Sequence, residues 1–473
     1  MKDKKLGLIG LIALVIGGVI GGGIFSLPSQ LAQGAGAFAI ILGFIISGIG
    51  IFALAFTFQI LSNRKPELTN GIYRYSKEGF GEYMGFSTAW IYWISSTFGN
   101  VAYATLVFGA LSYFFKIFNS NGNNLASIIA ASILLWGITL LITKGVRQAL
   151  IVNVIVTISK IVPIILFIII GIIALHIRNF SFQFYGTSSL GSVFSQVKNT
   201  MIATLWAFGG IEAAVVLSGR AKKAKDVGRA TVIGLVGIIT IYILVTLLSL
   251  GVMKRGVIAN LHDPSMAYIM QYAVGKWGAD VINIGLIVSI FGALLGWSVI
   301  VAEMPFSTAK DNVMPKFLAK ENKNGTPINS LILTTGITQI WLIFSYVSNS
   351  SYQVIYSLAS TASLVAYFLT TLYLLKIIVK NDGYKKNDKR KIKDFIIGMV
   401  SLIYTVWLFY AADLKYILFN CIVFSFGLIL FIWNKKEKKK KIFEKWYEWI
   451  IAIVFIVISV ISIILLITGI ISI

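Results

Sequence analysis

The chain has 473 residues, of which 57% are hydrophobic and only 12% charged, and its 41 Lys and Arg outnumber 18 Asp and Glu for a net charge of +23. A soluble domain is about 25% charged, so the balance argues against a soluble enzyme, a disordered chain and a disulfide-stapled secreted domain. The single cysteine (Cys421) and two histidines (His176, His262) offer no ligand set for a metal, and nothing calls for a cofactor. A bilayer removes the need for a charged shell, and a spanning helix takes about 20 apolar residues. The expectation is an all-α polytopic membrane protein.

Apolar runs predict thirteen spans, near 7–30, 37–61, 84–115, 125–143, 150–175, 199–218, 230–252, 278–305, 329–348, 352–375, 395–411, 415–433 and 449–471. With the N-terminus (Lys2, Lys4, Lys5) in the cytoplasm, most of the 41 Lys and Arg fall in inner segments. The outer segments then carry only Lys116, Arg178, Lys198, Lys254, Arg255, Lys276 and Lys415. That asymmetry is the positive-inside rule, so the basic balance does not point to nucleic acid. The lysine run 435–441 reads as a cytoplasmic loop drawn to anionic lipid. The first run is longer than a signal peptide's apolar region and has no small-x-small cleavage site, which makes it a span.

In chain order, the first span contains Gly17-Gly18-Val19-Ile20-Gly21-Gly22-Gly23-Ile24-Phe25, then Pro28. Three consecutive glycines remove about 3 kcal/mol of helix propensity relative to alanine. The stretch suits either a close helix interface or a break whose freed peptide groups line a cavity. The third span carries Tyr92, Ser95, Ser96 and Asn100. The fifth holds Lys160 ahead of Pro163; the lysine either snorkels or stands where a coupling cation would sit. The sixth repeats the break signal in Trp206-Ala207-Phe208-Gly209-Gly210-Ile211-Glu212. Glu212 is either half of a structural ion pair or a group that titrates or attracts a cation. Breaks in the first and sixth spans suit two five-helix repeats, the second inverted, with the site where they meet.

An α-amino acid fits such breaks. Amides at a half-helix start attract a carboxylate, which assigns Gly21, Gly22 and Gly23. Freed carbonyls accept from an ammonium, with Val19, Trp206 and Gly209 as candidates. Trp297, in Gly292-Ala293-Leu294-Leu295-Gly296-Trp297-Ser298, lies too deep in the eighth span for an interfacial belt. It serves either core packing or a cationic ligand. Tyr92, Ser95, Ser96 and Asn100 add polar groups. Glu303 and Asp311, at the inner end of that span, read as partners of loop lysines.

These residues resemble the amino acid–polyamine–organocation superfamily and, within it, basic amino acid/polyamine antiporters of the arginine/ornithine type. The likeness rests on Gly21–Phe25 with Pro28, Trp206–Glu212, Trp297 through Glu303-Met304-Pro305-Phe306, Ala309-Lys310-Asp311, Gly325-Thr326-Pro327, and Tyr92 with Gly99-Asn100. It covers roughly residues 7–435. It implies a five-plus-five inverted-repeat core (1–380) with two or three extra C-terminal helices (381–473). It further implies Trp297 stacked on a cationic side chain, Tyr92, Trp206 and Tyr367 as gates, and Glu212 as the acid-sensitive group. Lys160 resembles the lysine of proton-coupled members. Exchange of arginine for ornithine at the inner (plasma) membrane is the first expectation. Proton-coupled uptake, or exchange of an amino acid for its decarboxylated amine, is the alternative. The implied partners are cationic amino acids and the lipid bilayer, with room for a homodimer. Neither a channel filter nor an enzyme's nucleophile–base cluster is evident.

Overall fold

The computed structural model describes residues 7–68, 72–144, 146–210, 224–385 and 388–471, leaving aside the side chains of 10, 13, 14, 18, 146–159 and 224–227. The described residues form helices α1 (Leu8–Val19), α2 (Leu27–Gly34), α3 (Ala37–Arg64), α4 (Ile72–Phe80), α5 (Glu82–Leu111), α6 (Leu125–Thr143), α7 (Val146–Ile173), α8 (Ile177–Ser181) and α9 (Val193–Ala207). They continue as α10 (Ala224–Val252), α11 (Arg255–Ile258), α12 (Ser265–Val274), α13 (Lys276–Lys310), α14 (Ile328–Val347), α15 (Tyr352–Val379), α16 (Arg390–Ala411), α17 (Leu414–Glu437) and α18 (Trp446–Ile467).

Among the described residues, ten helices are long and apolar enough to cross a membrane: α3, α5, α6, α10 and α13 to α18. The chain is a multi-pass membrane protein. The remaining apolar runs, the first, fifth and sixth, are where the chain departs from a plain rod. The first is split, because α1 stops at Val19, Ile20 turns to extended backbone, and a 3-10 turn at Gly23–Phe25 leads into α2. The fifth, α7, carries Pro163 inside it. In the sixth, α9 stops at Ala207 and Gly210 takes φ 92°, a left-handed conformation that costs glycine little and other residues much. Glu212 lies outside the described residues.

The packing carries the symmetry of an inverted repeat. The third span (α5) packs on the tenth (α15), and the eighth (α13) on the fifth (α7). Likewise the first (α1) packs on the seventh (α10), and the sixth (α9) on the second (α3). Exchanging each span with the one five places along turns each pair into the other. The described part of α16 packs on α3 and α15, α17 on α5 and α15, and α18 on α17. These last three are the extra C-terminal helices.

One end of the bundle is basic and fastened by ion pairs. Arg64 reaches Asp388 at 2.7 Å and Asp394 at 3.0 Å. Two expectations change here. Asp311 pairs with Arg74 rather than a loop lysine, through two bonds of 2.6 and 2.7 Å, and Tyr73 also donates to it. Lys310 turns to Glu321 instead, at 3.2 Å. Lys435 does not face lipid: it is buried and bridges Glu82 at 2.5 Å and Glu444 at 3.0 Å. A lysine that deep needs paired carboxylates to offset lost hydration, a need invisible in a run of lysines.

Candidate functional site

A cavity of about 70 Å³ lies between the two interrupted spans. The break after α1 supplies Val19, Gly21 and Gly23, and the end of α9 supplies Trp206, Ala207, Gly209 and Gly210. One face of α5 supplies Tyr92, Ser95, Ser96, Gly99, Asn100 and Tyr103, and α13 supplies Trp297. The facing side of α15 supplies Ala359, Ser360, Ser363 and Tyr367. Tyr92, Ser96, Gly99 and Tyr103 follow helical spacing along one stripe, which climbs about 16 Å at 1.5 Å per residue. No charged side chain lines the cavity among the described residues.

Its two poles differ in chemistry. At the first break, the amides of Gly21, Gly22 and Gly23 find no acceptor among the described residues. Unpaired N–H groups at a half-helix start are suited to an anion. Gly22 is turned away from the cavity, and a Cβ there would meet Ile290 and Leu106. Gly23 is glycine for a reason of space: a Cβ there would stand 3.1 Å from the Trp206 indole. The other pole is rich in acceptors. Ser95 Oγ donates to the Ala359 carbonyl (2.7 Å), Ser96 Oγ to Tyr92 (2.9 Å) and Ser363 Oγ to Ser360 (2.8 Å). Their protons are committed to backbone, so what the hydroxyls offer a ligand is lone pairs. Asn100 Oδ1 and Ser360 Oγ are buried and have no partner among the described residues. Trp297 borders the same space, and no Lys or Arg among the described residues lies over its ring. Acceptors beside an open indole face make a place for a cation.

The carbonyl ends of both half-helices are held from behind. Lys160 Nζ donates to Gly17 O and Ile20 O, both at 2.5 Å. It is buried and not snorkelling. Tyr242 of α10 donates to Ala207 O at 2.8 Å and lies 3.4 Å from Val19 O, so one hydroxyl spans the ends of α1 and α9. The Trp206 carbonyl accepts from the Gly209 amide at 3.1 Å. In hydrocarbon such carbonyls require partners.

The end of the cavity opposite the basic face is capped by aromatic rings. Trp206 Nε1 donates to Tyr352 OH at 2.7 Å. The indole stacks on Tyr356 with centroids 5.9 Å apart and leans on Tyr103 at 5.7 Å. Toward the basic end lie Tyr92 and Tyr367, the latter edge-on to Phe58 at 6.1 Å.

The sequence-named residues Gly21, Gly23, Tyr92, Ser95, Ser96, Asn100, Trp206, Gly209, Trp297 and Tyr367 thus meet around one space. Gly22 backs it and Lys160 stands behind the break. Sequence reasoning missed Tyr103, Tyr242, Tyr352, Tyr356, Ser360 and Ser363. The signal for those on α15 was there, since Tyr352, Tyr356, Ser360, Ser363 and Tyr367 recur every three or four residues in an apolar run.

Interrupted helices facing each other at mid-bundle, with a zwitterion-shaped polarity between them, define a secondary transporter. A family profile for amino acid permeases matches residues 6–419. The chain is 43% identical to the arginine/ornithine antiporter of Pseudomonas aeruginosa over 450 residues, 93% of each chain. It is 42% identical to the arginine/agmatine antiporter of Chlamydia pneumoniae over 449 residues, again 93% of each. With the arginine/agmatine antiporter of Chlamydia trachomatis the identity is 38%, over 93% of this chain and 92% of that one. The protein belongs to the amino acid permease family.

Proposed function

We propose that the chain exchanges basic amino acids by alternating access, arginine against ornithine, from a core formed by residues 1–380 with 381–473 as accessory helices. One observation carries the reading: Gly21 and Gly23, whose amides have no partner among the described residues, line a cavity whose other side combines Trp297 with hydroxyl and amide acceptors. The carboxylate of the substrate docks on the glycine amides. Its α-ammonium turns to the carbonyls of Val19, Trp206 and Gly209. The guanidinium or terminal ammonium lies on Trp297, with Asn100, Ser95 and Ser96 accepting its protons. Trp206 gates the side away from the basic face, and Tyr92 and Tyr367 gate the other.

Exchange needs no further energy source, since each substrate's gradient drives the other through the same site. Lys160 substitutes for a coupling cation at the first break, and Glu212 is the group that titrates. The positive-inside rule puts the basic face and the N-terminus in the cytoplasm of a cell whose plasma (inner) membrane holds the protein. The names of the similar proteins favour a second reading, arginine against agmatine. Proteoliposomes loaded with labelled arginine separate these. Efflux stimulated by external ornithine supports the first, and stimulation by agmatine alone supports the second. Efflux that ignores both and follows a pH gradient refutes exchange in favour of proton coupling.

A further inference from the structure

Beyond Trp206, on the side away from the basic face, lies a polar cluster that the central cavity does not use. Asp263 sits half-buried in the loop between α11 and α12. Ser29 Oγ of α2 donates to Asp263 Oδ1 at 3.3 Å, and the Ser29 amide donates to Ser265 Oγ at 3.2 Å. Ser26, just before α2, is fully buried, with its hydroxyl turned to the same carboxylate. Both polar side-chain atoms of Gln30, one turn on, are buried with no partner among the described residues. Tyr268 of α12 and Tyr352 and Tyr356 of α15 lie within electrostatic reach of Asp263. The last two are the tyrosines that hold the Trp206 indole. Burial pushes the carboxyl up to about 6, with Ser26 and Ser29 pulling the other way, so it is ionised at neutral pH.

Among the described residues two other acids stand at that end, and one of them, Asp413 just before α17, is exposed. Asp280 is taken by Lys276 at 3.1 Å. Arg255 spends its guanidinium on the Ala32 carbonyl at 2.7 Å and faces Gln183. Asp263 pairs with no Lys or Arg among the described residues. A carboxylate with no cation partner among the described residues, held by the serines of α2 and next to the aromatic lid, is open to a positive ligand. Among the described residues the cavity behind the lid has no charged side chain to concentrate one.

We propose that Asp263 forms an outer capture site for the guanidinium or primary ammonium of a basic amino acid, holding it beside the lid until Trp206 and Tyr352 part. The proposal rests on the exchange reading and its orientation. A merely structural role would be to accept from the Ser29 hydroxyl, and an Asn amide oxygen accepts there as well. Asp263→Asn therefore removes the charge and keeps that hydrogen bond.

The test measures the apparent KM for arginine from each face, with the protein reconstituted in one orientation. In Asp263→Asn the outer KM should rise about tenfold, with the inner KM and the thermal midpoint unchanged and Asp263→Glu restoring capture. The wild-type outer KM should also rise with salt while the variant's does not. An unchanged outer KM, or an equal rise on both faces, overturns the proposal. Wild-type vesicles in the same experiment test the exchange reading separately: if they fail to trade arginine for ornithine that reading falls, whereas the facial asymmetry can be scored with any transported cation.

Discussion

At the basic end, α3 is tied to α16 by Arg64 with Asp388 and Asp394, α4 to α13 by Arg74 with Asp311, and α5 to α17 by Glu82 with Lys435. At the opposite end the closure is one indole-to-phenol hydrogen bond, an aromatic stack and a serine-to-aspartate contact. In the exchange cycle proposed above, the aromatic closure joins the two parts that separate to admit a substrate from its side. A neutral hydrogen bond is worth about 1 kcal/mol net and an aromatic pair about 0.5–1.5 kcal/mol. The two ends therefore differ in kind rather than in strength: long-reach charges fasten one, and short-range, directional contacts close the other.

The largest test of that contrast lies between the two ends. Trp297→Leu removes the ring face proposed for the cation, worth about 2 kcal/mol when desolvated. Arginine affinity by calorimetry should fall about thirtyfold while the fold persists. Near-normal affinity would take Trp297 out of the binding role.

Next comes the lid. Tyr352→Phe leaves the Trp206 N–H without its acceptor, a loss of about 1–2 kcal/mol in the closed state alone. The population should shift toward outward-open by about tenfold, read as faster labelling of a cysteine placed at Ser360 from outside. Unchanged labelling would mean that stacking on Tyr356 is enough.

Acid should act on one side. Because burial raises the Asp263 carboxyl to about 6, its charge is present above that pH and lost as pH falls through it. The outer KM should then climb several-fold between pH 7 and pH 5, with inner pH constant. Asp263→Asn should flatten that profile. His262→Gln should keep it, which excludes the neighbouring imidazole.

The smallest effect belongs to the scaffold. Arg74 and Asp311 are about a quarter and a fifth exposed, and such pairs contribute about 1 kcal/mol or less. Arg74→Gln should lower the thermal midpoint by about 1–3 °C and leave arginine affinity alone. A change in affinity would show that this tie reports to the cavity.

Much of the fold was legible because hydropathy is local. The described part of each of the thirteen apolar runs holds a helix, and within the two glycine-rich stretches the sequence marks as breaks a helix stops, after Val19 and after Ala207. The aromatic and polar stripe on α5 was legible for the same reason. The matching stripe on α15 was passed over because its serines and tyrosines look like ordinary span residues until α5 faces them.

What the sequence determined by itself was therefore the set of spans, their charge asymmetry and the two places where a helix cannot continue, since each follows from a residue and its near neighbours. Only the tertiary structure decided which distant groups answer one another: Lys160 for the carbonyls of Gly17 and Ile20, Tyr242 for Ala207, Tyr352 for Trp206, Asp263 for Ser29. Hydrogen bonds and charges act over a few ångströms of space whatever the separation along the chain. Once a helix is broken in hydrocarbon its freed groups take whichever partner the packing delivers, and no local pattern records that choice.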